Sequence, residues 1–287
     1  MPNSIKLFQS YITVLDELYK QVSLTSILDT NTSLVQMTNN GKEFLIPKIE
    51  MDGLGEYSRT DGYPEGAVTL DFETKKPNFD RARVFKVDNM DNVETAGIAF
   101  GKLSSEFIRT KAVPEVDATR FATYCAKGTP AVNADLATGE DWIKAISKAT
   151  VDMDNAEVPM EGRILYITPD GLALVNDMDT TKSRAVLSRF SRIIPVPQSR
   201  FVTAIKSLSG KTGEEKGGYE KATAGKDLNF QIVHPSALIQ FTKNLVNKIV
   251  TPEENQDGDW WKFFFHLYGV NEVYDNKKSA IYSHAKA

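Results

Sequence analysis

Apolar side chains recur at Ile5, Phe8, Ile12, Leu15, Leu18, Tyr19 and Val22, close to a helical period, and predict an amphipathic helix over 5–28. Its apolar stripe needs a packing partner. The polar stretch 29–41 reads as a linker ending on the turn signal Asn40-Gly41. From 43 to 88 the pattern changes to extended chain: FLIPKIEM, GAVTLDFET and RARVFKVD alternate apolar and polar residues and predict a long ribbon around Gly-rich and Pro-rich turns, with SRTDGYPEG (58–66) as its exposed tip. A two-stranded ribbon is marginal in water by itself, so support must come from outside the segment.

Helical spacing returns at 91–111, where Asp91 and Glu94 suit a capping box and Ala96, Phe100, Leu103 and Phe107 share a face. Pro114 sits where a first-turn proline is tolerated, so a second helical segment is expected after a bend. Thr138 and Asp141 repeat the capping-box spacing ahead of Trp142, Ile146, Ala149 and Met153 on one face. RILYIT reads as a buried strand, followed by a helix that opens on Thr168-Pro169. RIIPVP leads into the strand candidate FVTAIKSLS, and the Gly-rich, Lys-rich segment 210–226 reads as a flexible surface loop. LNFQIVHP is expected to run from strand into a helix over SALIQFTKNLVNKIV, and the tail to hold two aromatic-rich strands around Asn271. No internal repeat is visible.

Composition narrows the class. The 287 residues are 41% hydrophobic and 25% charged, ordinary for a globular protein with a sizeable core, in one large domain or two smaller ones. No apolar run is long enough for a membrane span, and MPNSIKLFQSYI lacks the basic-then-apolar order of an export signal. Cys125 is the single cysteine, which excludes a disulfide framework within the chain and any multi-cysteine metal site. The formal charge of -4 argues against a protein that grips nucleic acid through many phosphate contacts, and suits a container that must not condense onto its contents.

Candidate chemistry is thin. SGKTGEE (209–215) looks like a phosphate loop, but the position that should hold its first glycine is Ile205. Cys125 with His234, His266 or His284 could pair a nucleophile with a base, yet a lone cysteine at a helix end reads as a packed apolar residue, and the histidines lack metal-site spacing. In the acidic stretch 152–161, Ala156 and Glu157 stand where a calcium loop needs a ligand and a glycine, so a solvated turn is expected. Asn31-Thr32-Ser33 fits the glycosylation pattern but is idle without a secretion signal. Trp260, Trp261, Phe263, Phe264 and Phe265 could stack bases, but only Lys262 is interleaved, so core or subunit interface is favoured. Arg81, Arg83 and Lys86 alternate along the ribbon and are expected to meet acidic patches on a neighbouring subunit.

An ordered set of segments spanning 57–285 resembles the major capsid proteins of tailed bacteriophages: GEYSRTDGYPEGAVTLDFET, the Asp80-Arg81 pair, FKVDNMDNVETAGIAFGKLSSEFIRTKAVPEVDATRFA, VPMEGRILYITPDG and VYDNKKSAIYSH. The resemblance implies an α+β fold of the Hong Kong 97 type. Its parts would be an N-terminal arm and helix (1–42), an extended loop (43–88), a peripheral domain with a long spine helix (89–127), a mostly axial domain (128–260) and C-terminal strands returning to the periphery (261–287). It implies a non-enzymatic shell subunit with no catalytic residue, cofactor or metal. The expected partners are other copies of the chain in hexamers and pentamers, a separate scaffolding protein, a portal, and double-stranded DNA held non-specifically, with no membrane. The location is the virion, assembled in the cytoplasm of a bacterial host. Only about forty residues precede the ribbon, too few for the built-in scaffold some relatives carry, which is why a separate one is expected. The founding member joins a loop lysine to a neighbour's asparagine, but no motif selects Lys75, Lys76, Asn271 or Asn276 for this, and no cross-link is expected. Candidate inter-subunit contacts are Arg59, Tyr63, Lys75, Lys76, Arg81 and Arg83. An encapsulin-like nanocompartment shell is the alternative, and a soluble enzyme with an unseen site the third reading.

Overall fold

The fold is taken from a computed structural model that describes residues 23–30, 36–37, 43–60, 62–90, 98–178 and 180–287. Its strands are β1 (Gln36–Met37), β2 (Phe44–Met51), β3 (Val68–Lys75), β4 (Phe79–Asp88), β5 (Val132–Asn133), β6 (Ile164–Ile167), β7 (Arg192–Pro195), β8 (Ile205–Leu208), β9 (Gly218–Lys221), β10 (Leu228–Val233), β11 (Leu238–Val250), β12 (Trp260–Val273) and β13 (Ile281–Ala285). The helices are α1 (Ile98–Phe107), α2 (Val113–Lys127), α3 (Gly139–Asn155), α4 (Pro169–Asn176) and α5 (Thr180–Leu187). The described residues form sheets in the orders β1-β2-β3, β11-β12-β4, β5-β13-β10-β6-β7 and β8-β9.

Two cores share one helical run. Around the five-stranded sheet, Phe121 of α2 lies 5.0 Å from both Tyr166 and Phe201, ring edge to face. Trp142, Ile146, Ala149 and Met153 bury the predicted face of α3 against the same core. Each such side chain contributes about 1.5–3 kcal/mol by leaving water. The second core packs Ile108, Ala112, Val113 and Val116 against Phe263, Phe265 and Leu267 of β12. The bend expected before Pro114 is absorbed as a π-turn at Ile108–Ala112, where the Val113 N–H reaches the Ile108 carbonyl. Pro114, with no N–H to offer, then falls in the first turn of α2. The helical path from 98 to 127 continues, about 45 Å at the usual rise.

Several expectations hold locally. Thr138 and Asp141 form the capping box of α3. Thr168 caps α4 through the Gly171 N–H, with Pro169 in its first turn. Others give way to tertiary pairing. SALIQFTKNLVNKIV is not a helix: only Pro235–Ala237 turn, and Leu238–Val250 pair with β12 over most of their length. The tail is one long strand running through Asn271, and the second strand starts after the turn Asp275–Ala280. The expected ribbon over 43–88 divides, because β3 pairs with β2 whereas β4 pairs with β12. Segment 210–226 is not all loop, since Gly218–Lys221 pair with Ile205–Leu208. The expected helix over 5–28 lies outside the described residues except for its end, a single turn at Ser26–Leu28. Asn31, Asn40-Gly41 and the cap residues Asp91 and Glu94 also lie outside them.

One buried carboxylate ties the chain start to the body. Asp117, fully buried in α2, accepts from Ser23 Oγ at 2.9 Å, Thr25 Oγ1 at 2.7 Å and the Leu24 amide at 3.1 Å, and pairs with Arg200 at 3.1 Å. Beside it, Gln240 Nε2 donates to the Thr25 carbonyl and to Asp29, and Tyr124 donates to Gln240 Oε1. Burial pushes the Tyr124 hydroxyl well up, which keeps it a donor. Burial also raises the Asp29 carboxyl, against the opposing pull of Arg120 at 3.2 Å.

His284 marks the middle of the first core. Its ring stacks on Phe230 at 5.0 Å, and its Nδ1 lies 3.1 Å from Asn229 Nδ2, a donor that requires an unprotonated acceptor. Burial lowers its pKa from 6.5, so its contribution to stability is complete above pH 6.5 and is lost as pH falls through the lowered folded value. Chemical denaturation should therefore show the wild type weakening below that pH, with His284→Gln, which can still accept from Asn229, giving a flatter profile. An unchanged acid limb in the variant would refute this.

Candidate assembly surface

β2 and β3 pair into a ribbon that carries exposed apolar side chains among the described residues. Val68, Leu70 and Phe72 occupy successive positions on one face of β3, and all three are exposed, Val68 to 69%. Their Cα partners across the ribbon are Met51, Ile49 and Pro47. At the tip, Leu54 is fully exposed and Tyr63 is 88% exposed, its ring 5.0 Å from that of Tyr57. Gly62 takes the left-handed conformation (φ 80°) that the turn closed by the Ser58–Gly62 bridge requires.

The ribbon base is anchored firmly. Phe44 packs edge-on to Phe241 at 5.0 Å, inside a small core with Ile239 and Val270. Asn78 exchanges hydrogen bonds with the backbone of Asn271, at 2.6 Å and 2.9 Å, and donates to Glu272, whose other oxygen pairs with Lys127. Lys75 pairs with Asp275 at 3.2 Å and Lys76 with Glu43 at 3.4 Å. Of the expected contact residues, Arg59 and Tyr63 thus lie at the exposed tip, and Lys75 and Lys76 at the base in ion pairs within the chain.

Arg81 and Arg83 sit elsewhere, on the half-buried face of β4. Arg81 Nε donates to Glu115 at 2.6 Å and its Nη2 to the carbonyls of Leu208 and Gly218, so it clasps the β8–β9 hairpin to α2. Arg83 donates to the Glu215 carbonyl at 2.9 Å. Both therefore meet groups of their own chain. Glu115 and the hairpin were missed as partners because nothing local in sequence links residue 81 to residues 115, 208 and 218. Between β4, the helical run and the hairpin lies a groove of about 1110 Å³, with Phe79, Phe85 and Phe107 on its walls and Arg83, Lys111 and Lys216 among its charged groups.

The weighed alternatives take structural places. The phosphate-loop look-alike is a hairpin turn whose backbone is already occupied: Glu214 pairs with Lys206 and accepts from the Ser209 N–H, which hold its carboxyl down at about 2, and Glu215 accepts from the Gly213 N–H. Cys125 packs against the first core, and burial raises its thiol pKa. His234 contacts Ser236 and the Glu161 carbonyl, and His266 contacts Asp80. Phe263 and Phe265 are core residues, and Lys86 lies over the Trp260 ring at 5.2 Å. In the acidic stretch, Asp152 pairs with Lys148 and Asp154 with the buried Arg163. Among the described residues no cluster could hold a metal ion, and no helix is long and apolar enough to cross a membrane.

Ribbon, helical run and paired sheets make up a mixed helix-and-sheet fold, and that fold matches those of phage capsid structures. No family model matches the chain, and no curated protein matches it. Among solved structures, one of Mycobacterium phage Che8 is similar at TM-score 0.61 and 13% identity over 91% of this chain and 90% of that one. The capsid of cyanophage P-SCSP1u is similar at 0.56 and 13%, over 91% and 86%. A virus-like particle from Pyrococcus furiosus is similar at 0.56 and 13%, over 97% and 99%.

Burial raises the Glu115 carboxyl, with Arg81 pulling the other way. In Arg81→Ala that counter-charge is gone, so the folded value rises further above 4.5, and ionised Glu115 is destabilising once pH exceeds it. Arg81→Ala should cost about 2 kcal/mol near neutral pH. The deficit should shrink toward acid pH, and adding Glu115→Gln should remove that pH dependence. A deficit constant with pH would show that Arg81 acts only on the hairpin carbonyls.

Proposed function

We propose that this chain is the major capsid protein of a tailed bacteriophage, a building block whose copies close into an icosahedral or prolate shell around double-stranded DNA. The observation that carries the reading is the ribbon: a firmly held base and, among the described residues, an apolar face and tip that stand exposed. A monomer gains nothing from such a projection. A neighbour that covers it gains about 1.5–3 kcal/mol for each large side chain buried. In this reading β2–β3 is the extended loop, the run from 98 to 127 the spine helix, and the sheet ordered β5-β13-β10-β6-β7 the centre of the axial domain. The sheet ordered β11-β12-β4 then forms the peripheral domain, and 1–42 the arm.

The role is structural, not enzymatic. Hexamers and pentamers arise from the same contacts repeated with small bends, and closed symmetry makes many modest contacts add up. A separate scaffolding protein and a portal would guide assembly in the bacterial cytoplasm. The net charge of -4 fits loose, non-specific contact with the packaged genome.

A second reading, an encapsulin-like compartment, is favoured by one observation, the similarity to the virus-like particle over 97% of this chain. Electron microscopy and nuclease treatment of purified particles separate the two. DNA-filled shells are expected, protein-filled shells would favour the compartment, and a dispersed monomer would sink both. The ribbon itself can be tested by changing Leu54, Tyr57 and Tyr63 together to Ser. Subunit stability should move by no more than about 0.5 kcal/mol, since these are exposed positions, while shell yield collapses. Normal shells from that variant would remove the ribbon from assembly.

A further inference from the structure

Along β12 the residues on the face toward the helical run are Phe263, Phe265, Leu267, Gly269 and Asn271, every second position of the strand. The first three fill the second core. Gly269 has no side chain to continue the filling, and the facing strand β11 carries a bulge between Thr242 and Asn244, opposite Gly269 and Tyr268. A cavity of about 10 Å³ results beneath α2, with Val116 and Leu267 as apolar walls and Thr119, Arg120, Thr242 and Asn271 as polar lining. Asn271 is buried, and its backbone is fully used: the N–H donates to Asn78 Oδ1 at 2.9 Å and the carbonyl accepts from Asn78 Nδ2 at 2.6 Å. Its side-chain Nδ2 lies 3.5 Å from the Thr119 carbonyl. That contact fixes which way the amide is turned, because the reverse orientation would set two oxygens against each other. Asn271 Oδ1 is left buried with no donor among the described residues.

We infer that this cavity is a binding site for one water molecule, which donates a hydrogen bond to Asn271 Oδ1. The space matches the roughly 10–15 Å³ that a single buried water requires. Its other bonds have partners in the lining. Thr119 Oγ1 donates to the Glu115 carbonyl and keeps lone pairs to accept the second proton, and the Thr242 hydroxyl supplies a donor. Other small occupants fit worse. A metal cation needs roughly six oxygen ligands, more than the lining offers, and would sit beside the Arg120 guanidinium. An anion would face the Asn271 oxygen, and an apolar group would leave that oxygen unpaired. The water joins β12 to α2 at the point where the Asn78 bracket holds the link between β3 and β4, so it belongs to the support of the ribbon root. No second copy is needed, and the site stands whether or not the chain builds shells.

A cryo-electron-microscopic or crystallographic map of the full chain, sharp enough to show ordered solvent, should hold a water peak about 2.7–3.2 Å from Asn271 Oδ1. A cavity without density, or a side chain swung into it, would overturn the inference. A double-mutant cycle read by urea midpoints gives a second test. Val116→Ile adds one methylene to the wall and displaces the water, so the midpoint should fall because Asn271 Oδ1 loses its donor. In an Asn271→Leu background no such oxygen remains, and the same Val116→Ile change should leave the midpoint unchanged or raise it. Were the cavity a dry apolar hole, the added methylene would raise the midpoint in both backgrounds. Were it simply overpacked, the midpoint would fall equally in both. Either of those results would overturn the inference.

Discussion

A two-stranded ribbon has two faces and no interior. Whatever apolar residues it carries must be covered by something that is not the ribbon, and among the described residues it is the root, at Phe44, that is covered. Beyond that point Val68, Leu70, Phe72, Leu54 and Tyr63 stand in water. The expected response of a solitary protein would be collapse of the ribbon onto the nearest apolar wall. Collapse is opposed by the base, where the Phe44–Phe241 contact, the Asn78 bracket and the Lys75–Asp275 pair aim the strands away from the body. The exposure is therefore built in at the root, and the remaining architecture can be understood as the frame that maintains it.

That frame is stiff because one helical run serves two cores. Phe121 and Tyr124 face the five-stranded sheet, while Ile108 and Val113 face β12, so neither sheet can shift without disturbing the other. The Asp117 carboxylate closes the frame at its third corner, collecting donors from residues 23–25 and from Arg200. Removing any one of these donors would leave a buried charge short of a partner, which costs far more than an exposed bond is worth. Buried polar groups of this kind favour a single arrangement of the frame.

Local chemistry was legible and long-range pairing was not. Thr138 with Asp141, and Thr168 with Pro169, act within one turn of backbone, so their spacing alone determined the caps. The alternation of β3 and β4 was visible because the period of a strand is two residues whatever its partner. Leu238–Val250 misled for the opposite reason: Leu238, Phe241, Leu245 and Ile249 fit a helical stripe as well as a strand, and pairing with β12 decides the matter. The same holds for Arg81. Its alternation was apparent, but its partners lie 34, 127 and 137 residues away, a distance no pattern along the chain conveys. The tip was legible as a turn, and the groove was not legible at all, since its walls come from three separate stretches.

Chain connectivity gives the ribbon and the groove a relation that neither has alone. β3 ends at Lys75 and β4 begins at Phe79, so the root of the projecting ribbon and the wall of the groove beside β4 are separated by three residues. Among those three, Lys76 pairs with Glu43 beside β2 and Asn78 holds the backbone of β12. A neighbour that seizes the tip therefore pulls on the same short link that positions Phe79 and Arg81. If copies of the chain close into a ring through their tips, as the proposed shell requires, that pull reaches the body of each copy, and no member can relax without its neighbours relaxing too. Weak single contacts then become collectively demanding, because an ill-fitting subunit disturbs the interface it receives as well as the one it makes. Such a ring rejects damaged copies more sharply than the strength of any one contact would suggest.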